Sequence, residues 1–370
     1  MFKEFVEGVK EEVQIPGSIS AVIQSMWDAE DESWKQTDLM LIGVPEGRWS
    51  GKNGGNRLGP DAVRREFYKL KVHINNLRIG DLGNIKAGFE PGDTGAALHF
   101  ICEELLKEGV IPIVIGGGMP LTYSIYKAFA PVVKQMEATF VTPHLELEED
   151  NFLRQICLHE PNYLFNVNVL AFQSYYVNPA SLQTFEKMYF NGLRLGMLRS
   201  DIQESEPVIR NTHLFCIDIG AVKQADAPGN YHNNPNGLSS EEICQLCWYA
   251  GVSDTVRSFG LFEINPEFDY RNQTAKLGAQ MLWYFVDGYA NRKGDLPGLH
   301  QDFLKYRCTM NGNKEDVIFF KSKKTERWWM QLGESFSDNE LKLVPCSYAD
   351  YQMATRGDMP DRYWKALQKL

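Results

Sequence analysis

The chain has no uninterrupted apolar stretch of the roughly 18 residues that a bilayer-spanning helix requires. Its N-terminus, MFKEFVEGVKEEV, carries charge throughout and so lacks the apolar run of a signal peptide. A cytosolic location is expected. Positive charge is not in excess either: 38 Lys and Arg against 48 Asp and Glu leave a net charge of −10. That balance disfavours nucleic acid or an anionic membrane as a main partner. No disulfide framework is visible, because the seven cysteines are odd in number and scattered through apolar segments. Cys244 and Cys247 form a CxxC without a second pair, inside SSEEICQLCWYAG. Its acidic start and helical apolar spacing direct both thiols to a core.

What is present suffices for a large core. Of the 370 residues 44% are hydrophobic, enough for one α/β domain with extensions or for two domains. Residues 1–35 begin with Phe2, Phe5, Val6 and Val9 at helical spacing, which predicts an amphipathic N-terminal helix. From Leu39 the pattern changes. Leu39–Val44 is an apolar run ending in a Gly-rich loop, as in a buried parallel strand. Thr94–Glu108 places Leu98, Ile101, Cys102 and Leu105 on one helical face, with Gly109 as a stop.

Val110–Ile115 returns as a strand into Gly116-Gly117-Gly118, and further strands are expected at Ala138–Val141, Tyr163–Val169, Leu214–Ile219 and Ser258–Ile264. Strands alternating with helices predict a central parallel sheet covered on both faces, over residues 36–295. NRKGDLPG supplies a break near Arg292. The 296–370 extension then offers a strand at Asp316–Phe320, a basic turn at Lys321–Arg327 and a closing helix at Asp361–Lys369.

In open α/β sheets ligands bind beyond the carboxyl ends of strands. The segments there are Gly43–Arg64, Gly116–Pro120, Thr142–Glu146 and Asp218–Gly237, with Glu263 ending a fifth strand. Their sequences are GVPEGRWSGKNGGNRLGPDAVRREF, VIPIVIGGGMPLT, FVTPHLELEED, FCIDIGAVKQADAPGNYHNNPNGLSSEE and SFGLFEINPEFD. In this order they resemble the five motifs of the ureohydrolase superfamily of arginases, agmatinases and formimidoylglutamases, with a formimidoylglutamase-like relative nearest. The resemblance covers about residues 36–292. It implies a three-layer αβα arginase-like fold, self-association into a homo-oligomer, and a pair of Mn²⁺ ions whose bridging water is the nucleophile.

The residues at the implied ligand positions are unfavourable to such a pair. Met119 stands where the family has its first His, and a thioether is a poor ligand for a hard cation. Thr142 replaces an Asp and Gly220 replaces another carboxylate. His144, Glu146 and Asp218 remain and predict at most a single Mn²⁺ in an open three-ligand site, or an empty one. The alternative for Asp218 and His144 is hydrogen bonding to each other or to backbone groups. Glu263 matches the family carboxylate that orients an amidine or guanidine, although a Glu beside an Asn-Pro turn also serves structurally.

The expected function is therefore a ureohydrolase-fold protein without two-metal hydrolysis, binding a small amine, amidine or amino acid, or a protein. The alternatives are a hydrolase of C–N bonds in linear amidines with one metal or an altered ligand set including Glu146 and Cys216, and an assembly subunit acting through the 300–370 extension. His159, His213 and His232 are further acid–base candidates by residue type, and KSKKTERWW reads as a solvated turn followed by packing tryptophans.

Overall fold

The computed structural model describes residues 2–9, 14–27, 32–73, 77–297, 302–310, 316–333 and 342–369. Within them, ten strands form one sheet: β1 (Val6–Glu7), β2 (Gln24–Ser25), β3 (Leu39–Val44), β4 (Ile79–Ile85), β5 (Ile111–Gly116), β6 (Met136–Val141), β7 (Leu164–Phe172), β8 (Asn191–Arg194), β9 (Leu214–Asp218) and β10 (Ser258–Phe262). Their order is β1-β4-β3-β5-β10-β9-β6-β7-β8, with β2 also on β4. All pairings are parallel except β1 on β4.

Alternation along each strand divides the core between the two faces of the sheet. Leu39 and Leu41 of β3 join Phe215, Phe259 and Phe285 on one side. Met40, Ile42 and Val44 join Leu98, Tyr126 and Phe140 on the other. Helices cover both faces, which gives the expected three-layer α/β architecture.

Local sequence explains where those helices start and stop. The helix Pro91–Lys107 opens with a capping box between Glu90 and Asp93, and Ser240–Val252 opens with one between Ser239 and Glu242. Gly109 follows the first with a φ of 80° and open space around it, so the left-handed backbone, not crowding, requires glycine there. Cys244 and Cys247 lie buried in Ser240–Val252 as expected, and burial pushes the Cys244 thiol up to about 12. All seven cysteines are free.

The N-terminal expectation fails. Residues 2–9 hold a short 3-10 turn, Phe2–Glu4, followed by β1, whose Val6 and Glu7 lie opposite Ile85 and Asn84 of β4. Phe2 and Val6 reach the core from a turn and an edge strand, so their four-residue spacing mimicked a helix face. The segment extends the main sheet and is not a helix docked on it.

Beyond Asp295 a second, antiparallel sheet runs in the order β11 (Phe303–Thr309), β12 (Asp316–Ser322), β13 (Trp328–Gln331), β14 (Leu343–Cys346), followed by helices Tyr348–Thr355 and Asp361–Leu367. It has its own core around Phe319, Trp328, Met330, Cys346 and Tyr363. Trp328 and Trp329 are buried while Lys321 and Lys324 pair with Glu326 and Asp302, so KSKKTERWW is a solvated turn leading into packing tryptophans.

The second sheet is fastened to the first by buried charge. Arg210 Nη1 donates to the Trp328 carbonyl at 2.6 Å and its guanidinium stacks 4.6 Å from the Trp329 ring centroid. Arg327 and Arg362 reach Glu206 and Glu204 at 3.2 and 2.6 Å. Ser322 Oγ donates to Asp295 at 2.8 Å.

Candidate functional site

The neighbouring strands β5, β10, β9 and β6 deliver the expected residues to one edge of the sheet: Met119, Glu263, Asp218, and Thr142 with His144. Chain direction reverses its progress across the sheet here, since β5 adjoins β10 and β9 adjoins β6. This is the crevice in which open α/β sheets hold ligands.

Glu263 is the most constrained of these residues. Its φ of 69° is left-handed, a conformation that costs a non-glycine residue on the order of 1 kcal/mol or more unless its surroundings enforce it. They do. Its N–H donates to the Gly117 carbonyl at 2.8 Å, and its carbonyl accepts from Asn53 at 3.1 Å and Asn230 at 3.2 Å. Both carboxylate oxygens are also engaged. Oε2 accepts from the Asn53 and Asn56 amides at 2.7 and 2.9 Å, and Oε1 accepts from the Met119 N–H at 2.8 Å and the Ser50 hydroxyl at 3.5 Å. Glu263 thus clamps the loops after β3 and β5 onto the end of β10.

Those loops lie too close together to admit side chains. A Cβ on Gly117 would stand 1.8 Å from the Glu46 carbonyl oxygen. Glu46 is itself buried. Burial penalises its charge, but hydrogen bonds from Arg48 and Thr94 hold its carboxyl below the usual range.

Asp218 is buried at the end of β9. Oδ1 accepts from the Gly220 N–H at 2.8 Å and Oδ2 from the Thr142 hydroxyl at 3.4 Å. Burial first, and the charge of Glu263 second, push its carboxyl up to about 7. His144 donates its backbone N–H to the Thr142 hydroxyl at 3.3 Å. Its Nδ1 lies 3.4 Å from Glu146 Oε1 and its ring 5.2 Å from that of Tyr176. Burial lowers the His144 pKa against the opposing pull of Glu146.

Among the described residues, no three His, Cys, Asp or Glu side chains form a group able to hold a metal ion. Of His144, Glu146 and Asp218, Asp218 accepts from Gly220 and Thr142, and His144 Nδ1 lies 3.4 Å from Glu146 Oε1. Met119 is buried in the core, Thr142 is a neutral donor and Gly220 has no side chain. The residues present do not fit a binuclear manganese centre, which needs carboxylates between the ions. Cys216 is no substitute: it is fully buried mid-strand and burial pushes its thiol far up.

The three other histidines do not join this site as a group. His159 Nδ1 lies 3.0 Å from the Tyr123 hydroxyl amid tyrosine rings. His213 precedes β9 at the opposite end of the sheet. His232 alone lies near His144 and depresses its pKa. Sequence reasoning missed Asn53, Asn56 and Asn230, which read only as loop residues. The recurrent Asn in GKNGGN and PGNYHNN was the available signal.

A family model described as "Arginase family" matches residues 37–287, more than half of the chain. The chain belongs to the arginase family. Among arginase-family relatives it is 24% identical over 251 residues to a formimidoylglutamase of Staphylococcus haemolyticus, covering 63% of this chain and 79% of the relative. It is 23% identical over 300 residues to a formimidoylglutamase of Bacillus subtilis, covering 71% and 89%. An agmatinase of Bacillus anthracis is 22% identical over 280 residues, covering 70% and 93%. Trypanosoma cruzi formiminoglutamase, solved with Mn²⁺, superposes with a TM-score of 0.65 at 23% identity, covering 72% of this chain and 97% of that one. The Bacillus subtilis formimidoylglutamase structure gives 0.65 at 20% identity, covering 78% and 97%. These superpositions establish the arginase-like fold expected from the five motifs.

Proposed function

We propose that this arginase-family chain works without the two-metal chemistry of its relatives and binds a small amine, amidine or amino acid at the carboxyl ends of β5, β6, β9 and β10. The observation that carries the reading is the chemistry of the residues at this edge: Met119 is buried in the core, Thr142 is a neutral hydroxyl, and Asp218 accepts from Gly220 and Thr142. Ligand recognition falls to Glu146, whose partly exposed carboxylate lies 3.4 Å from His144 Nδ1, the His144 ring itself lying 5.2 Å from that of Tyr176. A carboxylate next to an aromatic face suits a small cation. Glu263 braces this edge, since its oxygens already accept from Asn53, Asn56 and Met119.

The names of the relatives favour a second reading more than this one: hydrolysis of C–N bonds in linear amidines, through one metal ion or an altered ligand set. Calorimetric titration of agmatine, arginine and formimidoylglutamate into protein purified without added metal, with product analysis of each mixture, separates the two. Binding heat with no turnover is expected, and Glu146→Gln is expected to remove it. Turnover of any of the three compounds overturns the proposal in favour of the hydrolase.

A further inference from the structure

A cavity lies at the other end of the sheet, independent of the site above. It measures about 580 Å³, within the several-hundred-Å³ range of small-molecule pockets. One wall is made by the amino ends of β6 to β9, with Glu137, Asn166, Asn191 and His213. The other is made by β14 and the helix Asp361–Leu367. Phe165, Leu193, Met197, Val208 and Val344 supply an apolar lining between them.

Its charged groups are unevenly matched. Arg362 is consumed by Glu204 and Asp350 at 2.6 and 3.1 Å. Lys365 has no ion-pair partner among the described residues, and it faces the same space as Lys369, four residues on. Lys369 is held by Asn166 Oδ1 at 2.5 Å and lies over the rings of Phe165 and Phe190. Burial, and the neighbouring Lys365 charge, pull the Lys369 ammonium down to about 8 despite the attraction of Glu137. Glu137 is engaged by the amides of Asn166 and Asn211 at 3.1 and 3.5 Å. His213 Nδ1 accepts from the Glu137 N–H at 3.2 Å, which places the proton of the neutral ring on Nε2 and makes that atom a donor.

We infer that this cavity binds a small organic anion with an apolar body and a carboxylate or phosphate end, its charge held by Lys365 and Lys369 and its body by Phe165, Leu193 and Val344. Such an anion relieves the repulsion between the two lysines that face the cavity, and it bridges the main sheet to the C-terminal sheet and helices.

The test uses the full chain with hexanoate, hexyl phosphate and hexylammonium as probes, followed by thermal melting and calorimetry. Hexanoate or hexyl phosphate is expected to bind and raise the melting temperature, and the tighter of the two identifies the anionic group. Lys365→Gln, which breaks no ion pair, is expected to weaken that binding by about tenfold, the share of one charge-assisted contact. Leu193→Trp is expected to fill the cavity and abolish it, while Glu146→Gln leaves it unchanged. The inference is overturned if neither anion binds, if hexylammonium binds as tightly, or if Lys365→Gln has no effect while Glu146→Gln removes binding.

Discussion

The two ends of the central sheet use their polar residues in opposite ways. At the carboxyl ends of β5, β10 and β9, the carboxylates of Glu263 and Asp218 are turned inward onto amides, backbone N–H groups and the Thr142 hydroxyl. At the amino ends, Lys365 and the Nε2 of His213 face a cavity. Polar groups thus brace the fold around Glu263 and Asp218 at one edge, while a lysine faces open space at the other. The physical reason is that a buried carboxylate must find donors or neutralise.

Four changes test that contrast, in descending order of effect. Glu263→Ala removes the acceptor for Asn53, Asn56 and the Met119 N–H, and is expected to cost about 4 kcal/mol in urea unfolding. If the variant is as stable as the parent, the carboxylate is reserved for a ligand and the contrast collapses. Arg210→Met leaves the Trp328 carbonyl unsatisfied and is expected to cost about 3 kcal/mol. Limited proteolysis after the substitution should cut first within the C-terminal sheet.

The third change is pH. Burial and the Arg257 charge lower the His213 pKa from 6.5 to about 4. Between those values the unfolded chain takes up a proton that the folded chain refuses. Stability from His213 is therefore full above pH 6.5 and lost as the pH falls to 4, by about 3 kcal/mol. His213→Gln should flatten that part of the stability profile, and an unchanged profile would mean that the imidazole is solvated. Fourth, Asp218→Ala is expected to cost about 1 kcal/mol and to leave bound metal unchanged, since among the described residues the Asp218 side chain accepts two hydrogen bonds, one of them at 3.4 Å. A fall in metal content on that substitution would restore a metal site to the carboxyl edge.

Much of the core was legible because buried parallel strands are short apolar runs. Leu39–Val44 coincides with β3, and the other expected strands of the main sheet fall within a few residues of β5, β6, β7, β9 and β10. β4 was not legible. Its sequence IGDLGNI breaks the apolar pattern, because Asp81 accepts from Arg64 Nε at 2.7 Å and from the Tyr68 hydroxyl in a buried network. The short edge strands β1, β2 and β8 carry too few apolar residues to register a period.

For the site, the residue types at Met119, Thr142 and Gly220 were legible in sequence, because residue type alone decides whether a side chain can hold a hard cation. The enclosure of Glu263 was not, since it depends on loops meeting across the sheet. Asn53 lies 210 residues before Glu263, and no local pattern announces that contact.

The central claim is that the arginase-family metal site has become internal bracing. Metal analysis by mass spectrometry, on protein purified without added metal and again after equilibration with Mn²⁺, tests it most directly. The account predicts manganese well below one ion per chain in both samples. About two ions per chain, the stoichiometry of a binuclear hydrolytic centre, would contradict it.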